Sequence, residues 1–368
     1  MNKKYLQHIN PGIDSIRPYE AGKSIEDVMK EYNLKKIVKL ASNENSLGPS
    51  PKVIEVINNF QNIHLYPDGD GKDLKSKISE VENVSPEQII LGNGSNEVLE
   101  IISQTFLSAQ SESVFSKHAF VVYKLASKVR GSKFHEVDAK SWGHDLDKFL
   151  EHVNEKTRLI FIANPNNPTG TYLSHDDIVN FLKAISNEII VVIDLAYFEY
   201  VKTDDYIRTN EILNEFSNVV ITKSFSKIHG LSALRIGYGI GNADLIEIMN
   251  RVRQPFNVNA IAQKAAIASL NDVDYLNASV ESNSIEREYL YNCLDEMSLK
   301  YIPSQGNFIC IETPFNGKKI FEELLKKGVI VRPIELYEMP NHIRVTIGKR
   351  FENEFFIEKL KQTLKSFK

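Results

Sequence analysis

The sequence predicts an α/β fold: a mainly parallel, doubly wound sheet between helices, followed by a smaller α+β unit. Three observations carry this. Short apolar runs alternate with helix-period segments through the middle of the chain. The runs are continuously apolar rather than alternating, as in strands covered on both faces. After Arg253-Gln254-Pro255-Phe256-Asn257-Val258 the pattern changes to a long helical stretch and then shorter strands.

Taken in order, residues 1–34 read as an N-terminal arm with one helix. Residues 35–258 read as the large domain and 259–368 as a small C-terminal domain. Strands of the large domain are expected at Gln88–Leu91, Ser113–Phe115, Arg158–Ala163, Ile189–Asp194 and Val219–Thr222. A helix is expected at Glu97–Leu107, where Val98, Leu99, Ile101, Ile102 and Phe106 recur at helical spacing. A second helical stretch opens near Asn259. Strands at Gly306–Glu312, Gly328–Pro333 and His342–Ile347 follow, and a last helix starts at about Glu352.

Composition removes several function classes. With 42% hydrophobic and 25% charged residues in a chain of 368, the balance is that of a globular protein. A net charge of −4 gives no bulk attraction to nucleic acid or to an anionic membrane, so neither is expected as a partner. The two cysteines, Cys293 and Cys310, form no CxxC pair, and no HExxH occurs, so no metal site is expected. The polar start Met1-Asn2-Lys3-Lys4-Tyr5 lacks a secretory pattern, and a cytoplasmic protein is expected. Gly237-Tyr238-Gly239-Ile240-Gly241 is not GxGxxG, and neither GxxxxGK[ST] nor GxSxG is present.

The chemistry gathers where strands end, which is where open parallel sheets bind ligands. Gly92-Asn93-Gly94-Ser95-Asn96 follows one strand and Asn164-Pro165-Asn166-Asn167-Pro168-Thr169-Gly170 another. Asp194 closes a third, with Tyr197 three residues on, and Ser224-Phe225-Ser226-Lys227 closes a fourth. A lysine and a carboxylate at the ends of two buried strands suit pyridoxal 5'-phosphate. Its aldehyde is held by an amine as a Schiff base, and its ring nitrogen stays protonated beside an anion. Gly94 leading into a helix at Ser95 offers free backbone N–H groups to a phosphate. Ser224, Ser226 and Arg235 offer hydroxyls and a guanidinium to the same group. Tyr197 and Asn167 are candidates to hold the ring hydroxyl. Phe120 is either a stacking partner for the ring or ordinary core.

These residues resemble the fold-type I pyridoxal-phosphate aminotransferases, and among them the histidinol-phosphate aminotransferase family. The likeness rests on Asn164–Gly170, on Asp194 with Tyr197, and on Ser224 to Lys227 with Arg235 eight residues on. Further marks are Arg17-Pro18-Tyr19, Lys39 to Asn45, Tyr66-Pro67-Asp68, Leu91 to Ser95, Val329 to Pro333 and Ile343 to Gly348. The resemblance implies a seven-stranded, mainly parallel sheet and a ping-pong transamination. Its substrate pairs are L-glutamate with 2-oxoglutarate and histidinol phosphate with imidazole-acetol phosphate. It implies catalytic roles for Lys227, Asp194 and Tyr197. Gly94, Ser95, Asn96, Phe120, Asn167, Ser224, Ser226 and Arg235 would bind cofactor, with Tyr66 reaching it from the neighbouring subunit of a homodimer. Arg344 would take the glutamate carboxylate and the substrate phosphate in turn, helped by Arg332, Tyr19 and Asn167. The alternative is a related enzyme of the same fold, an aromatic amino-acid transaminase or an amino-acid phosphate decarboxylase.

The chain departs from the family pattern at Ser46, Asn96, Leu195, His118-Ala119-Phe120 and Ile334-Glu335-Leu336-Tyr337. Glu335 is expected to oppose an anion if it faces the substrate site.

Overall fold

The computed structural model describes residues 3–16, 18 and 23–367. Seven strands form the main sheet: β2 (Ile89–Gly92), β3 (Glu112–Ser116), β4 (Lys133–Val137), β5 (Thr157–Ala163), β6 (Ile190–Asp194), β7 (Val219–Ser224) and β8 (Gly237–Gly241). Their order is β2-β8-β7-β6-β5-β3-β4, and only β8 runs against the rest. Alternate residues of each central strand enter opposite cores, as the two-residue pleat requires. Ile160, Ile162, Val191, Ile193, Val219 and Ile221 pack on one face. Leu159, Phe161, Val192 and Val220 pack on the other. Both faces being covered, the strands show no polar alternation, which is why they are legible as continuous apolar runs.

Register then aligns the strand ends. Ala163 pairs with Asp194, and Asp194 with Thr222. The turns after β5, β6 and β7 therefore leave the sheet side by side.

Two strands of this sheet are absent from the sequence reading. β4 is the edge strand and carries Lys133, His135 and Glu136, so it has no apolar run. β8 is the glycine-rich segment. A Cβ on Gly237 would lie 2.3 Å from the backbone N of Ser95, and one on Gly239 would lie 2.9 Å from Val98. The missing side chains let the helix Ser95–Phe106 lie against the sheet, so the glycines serve packing and not nucleotide binding.

The second sheet has the order β12-β13-β10-β9, all antiparallel: β9 (Tyr301–Ile302), β10 (Phe308–Glu312), β12 (Arg332–Pro333) and β13 (His342–Thr346). Ile309, Ile311, Ile343 and Val345 face a core built with Leu290, Leu294, Ile320, Leu324, Phe356 and Leu360. These come from the helices Val273–Glu296, Gly317–Lys326 and Arg350–Ser366. Arg344, between two core residues, is turned to the opposite face. The expected strand Gly328–Pro333 is two short pieces, because the chain changes partner at Val331. β11 (Val329–Ile330) pairs in parallel with β1 (Val38–Lys39), and β12 pairs with β13.

Contacts tie the two units together. Val38 and Leu40 pack in the core of the second sheet. The helix Ala260–Leu270 packs through Ala262, Ala265 and Ala266 on Val53, Leu74, Ile78 and Tyr238 of the first. Asn259 caps that helix by accepting from the Ala262 N–H at 2.8 Å.

Candidate active site

One pocket lies at the carboxyl ends of β5, β6 and β7. It is lined by Ser42, Glu44, Ser95, Asn96, Phe120, Ala163, Pro165, Asn167, Asp194, Ala196, Tyr197, Ser224, Ser226, Lys227, Ser232 and Arg235. Ten of the residues singled out from sequence are among these.

Asp194 forms the floor and is 6% exposed. Tyr123 donates its hydroxyl to Oδ2 at 2.9 Å and Thr222 to Oδ1 at 3.1 Å. Burial raises the carboxyl pKa, and those two hydrogen bonds oppose it. These two hydroxyls and the Ala196 backbone N–H, which also lowers the pKa, are all neutral donors, and Lys227 acts only through space. Such a carboxylate suits a cation placed against it.

Lys227 stands above. Its Nζ donates to the Ser42 carbonyl at 3.3 Å. Burial, then the charge of Arg344, brings its pKa down to about 8, so the neutral amine is accessible near neutrality. Tyr197 accepts from Asn43 Nδ2 at 2.9 Å, which leaves its own O–H to donate. Burial pushes its pKa up to about 12, so it remains a phenol.

At the other end the helix Ser95–Phe106 begins on Gly94, with no side-chain cap on its first N–H groups. Arg235 lies across this start and donates through Nη1 to Ser226 Oγ at 3.3 Å and to the Ser232 carbonyl at 3.1 Å. Gly94 has φ 83°, and a Cβ there would sit 2.3 Å from Arg235 Nη2. Hydroxyls, helix N–H groups and a guanidinium thus converge as an anion cradle.

The loop after β5 is stitched by its own amides. Asn164 exchanges two hydrogen bonds with the Leu173 backbone, at 2.9 and 3.1 Å. Asn166 donates to Thr169 Oγ1 at 2.8 Å. A Cβ on Gly170 would strike Ser304 Oγ at 2.2 Å. Asn167 is thereby presented to the pocket, where its Oδ1 accepts from Arg344 Nη1 at 2.5 Å. Arg344 also donates from Nη2 to the Ala41 carbonyl at 2.8 Å. Its Nε is buried with no partner among the described residues, a donor placed for an anion. Phe120 lines the pocket and also packs edge-on against Tyr123 at 5.9 Å.

Three named residues stand apart. Tyr66 is 83% exposed and stacks on Phe256 at 4.8 Å. Arg332 pairs with Arg344 across β12 and β13 and is half-buried, outside the pocket lining. Tyr19, with Arg17, lies outside the described residues. Of the departures, Leu195 is buried in the core, and Glu335 is exposed and does not line the pocket. Sequence reasoning missed Tyr123 and Thr222 on Asp194 and Asn43 on Tyr197. Thr222 was within reach of a register argument. Asn43 lies in the motif Lys39 to Asn45, where nothing local indicates its partner.

The aminotransferase class I and II profile matches residues 35–360. The chain belongs to that family. Among curated relatives of this aminotransferase, histidinol-phosphate aminotransferase 1 of Idiomarina loihiensis is 46% identical, with 97% of this chain and 98% of the relative covered. Histidinol-phosphate aminotransferase of Caldicellulosiruptor saccharolyticus is 44% identical over 96% and 99% of the two chains. In fold, the aminotransferase is similar to the crystal structure of histidinol-phosphate aminotransferase from Sinorhizobium meliloti in complex with pyridoxal-5'-phosphate. That comparison has a TM-score of 0.89 and 24% identity, and covers 97% and 98% of the chains. The mainly parallel seven-stranded sheet expected from sequence is the one observed. No helix among the described residues is long and apolar enough to cross a membrane. Among the described residues no group of three or more His, Cys, Asp or Glu could hold a metal ion.

Proposed function

We propose that this chain is a pyridoxal-phosphate-dependent transaminase of histidine biosynthesis. It moves an amino group between L-glutamate or 2-oxoglutarate and histidinol phosphate or imidazole-acetol phosphate. One observation carries the chemistry: a half-buried lysine with an accessible neutral amine shares a pocket with a buried carboxylate held by neutral hydroxyls, beside an anion cradle. Curated relatives at 42–46% identity that bear the histidinol-phosphate aminotransferase name support the substrates.

The donor set fits pyridoxal phosphate. When bound, the cofactor supplies an electron sink for the amino group's carbon. Asp194 would hold the ring N–H. Tyr197 and Asn167 would donate to the ring hydroxyl, and Phe120 would cover the ring face. Gly94 leaves room for Arg235, which with Ser95, Asn96, Ser224 and Ser226 would hold the phosphate. Lys227 Nζ would anchor the aldehyde carbon and then carry the proton moved during transfer. Arg344 would take the glutamate carboxylate and the substrate phosphate in alternation, with Arg332 and Tyr19 assisting the second. Tyr66 would serve the site of a second copy in a homodimer. Its exposure, with that of Ile63, Leu65 and Phe256, supports that use of the surface. The arm 1–34 and domains 35–258 and 259–368 would be the units of that assembly, and the cytoplasm its compartment.

The substrate panel tests the reading. We expect kcat/KM for histidinol phosphate to exceed that for phenylalanine by about 10²-fold or more, because phenylalanine offers a carboxylate to Arg344 but no phosphate to the donors that assist it. Equal values would refute the histidine assignment. The cradle is tested separately. Gly94→Ala is expected to push Arg235 off the helix start and weaken cofactor binding about 10-fold, read as the Kd of the apo-protein for pyridoxal phosphate. An unchanged Kd removes Arg235 from the cradle.

A further inference from the structure

His118 lies at the seam between the two sheets, on the turn that follows β3 and leads to Phe120. Its Nδ1 is 2.6 Å from the backbone carbonyl of Tyr337, on the turn between β12 and β13. A carbonyl oxygen only accepts, so Nδ1 carries the proton in the neutral and the charged ring alike. The contact therefore does not depend on the charge of His118. The carbonyl of His118 accepts in turn from Asn166 Nδ2 at 3.0 Å. The neighbouring Asn167 accepts from Arg344 at 2.5 Å. Arg344 and Tyr337 belong to the same small sheet and its turn, so these three hydrogen bonds close a circuit. The circuit joins the turn bearing Phe120, the loop bearing Asn167 and the sheet bearing Arg344. Trp142 backs it, with ring centroids 5.4 Å from His118 and 5.0 Å, edge to face, from His342.

We propose that His118 is a positioning residue that holds Arg344 at a set distance from the ring-facing side chains Phe120 and Asn167. This rests on the transaminase reading, in which Arg344 binds the anion of both substrates. Another bond between the same segments, Lys117 to Glu338 at 3.0 Å, joins a half-buried lysine to an exposed glutamate at the solvent edge and adds little. The part-buried bond from the His118 ring to the Tyr337 carbonyl is a specific link between them. Its loss frees Arg344 to drift without touching Asp194 or the phosphate cradle. Ground-state and transition-state binding of the substrate anion then weaken together, which raises KM and spares kcat.

The test uses the holoenzyme with His118→Ala and His118→Asn. Asparagine places an amide N–H where Nδ1 stands, so it can keep the bond to Tyr337. For His118→Ala we expect KM to rise about 10-fold for glutamate and for histidinol phosphate. The Kd for pyridoxal phosphate and kcat should stay close to wild type. His118→Asn should return both KM values toward wild type. The protein has one tryptophan, so emission reports on Trp142 alone. It should shift to the red in His118→Ala and not in His118→Asn. A wild-type KM in the alanine variant, a fall in kcat at constant KM, or no rescue by asparagine overturns the proposal. If His118→Ala fails to fold, His118→Asn decides: near-native KM values uphold the clamp, and KM values about 10-fold raised overturn it. A wild-type enzyme without glutamate turnover refutes the transaminase reading instead. The emission comparison then decides the clamp, an absent shift in both variants overturning it.

Discussion

Lys227→Ala should leave a folded protein with kcat below about 10⁻⁴ of wild type. General acid–base catalysis alone contributes about 10²–10⁴-fold, and the covalent anchor is lost with the same nitrogen. Folding should survive, because Nζ makes one hydrogen bond, to the Ser42 carbonyl, and burial already disfavours its charge. Two measurements check this: steady-state kcat, and mass spectrometry after borohydride reduction of the holoprotein, which should show a cofactor adduct in wild type and none in the variant. Turnover within about 10-fold of wild type would refute the role. The wild-type amine carries a pH signature. With its pKa brought down to about 8, the uncharged form grows as pH rises through that value. Capture of pyridoxal phosphate by the apo-protein should accelerate over the same range and level off above it. A capture rate indifferent to pH between about 7 and 9 would mean that Lys227 is not the attacking group.

Asp194→Ala should keep the fold and lose most turnover. Removing one partner of a buried charge pair costs about 3–5 kcal/mol, or roughly 10²–10⁴-fold when that pair forms with the reacting cofactor. The alanine variant also strips an acceptor from Tyr123 and Thr222, which lie 2.9 and 3.1 Å away. Asp194→Asn separates the two effects. Its amide oxygen still accepts a hydrogen bond, so its thermal midpoint should stay near wild type while kcat remains low. Burial raises the carboxyl pKa, so its charged form is lost on acidification earlier than that of an exposed aspartate. Cofactor retention should therefore fall as pH falls, and the Asn variant should lack that limb. A near-normal kcat in either variant would remove Asp194 from the chemistry.

What was legible in the sequence, and what was not, divides along physical lines. The central strands were legible because both faces are buried, which writes an unbroken apolar run into the chain. The edge strand Lys133–Val137 was not, since solvent permits lysine, histidine and glutamate there. Gly237–Gly241 read as a failed nucleotide motif because its glycines answer to a helix backbone placed on them from elsewhere in the chain. The residues that line the pocket were mostly legible, since each closes an apolar run or starts a helix. Their supporting partners were not.

The sequence by itself determined which elements form and which reactive groups end them: an amine, a carboxylate, an uncapped helix start and a serine-rich turn. Each is encoded within a few residues, by apolar period, glycine and hydroxyl placement. The tertiary structure alone decided how those groups are held. Tyr123 reaches Asp194 across 71 residues of sequence, Asn43 reaches Tyr197 across 154, and Arg344 reaches the Ala41 carbonyl across 303. Such pairings depend on how cores pack and how sheets register against each other, and no local pattern records them.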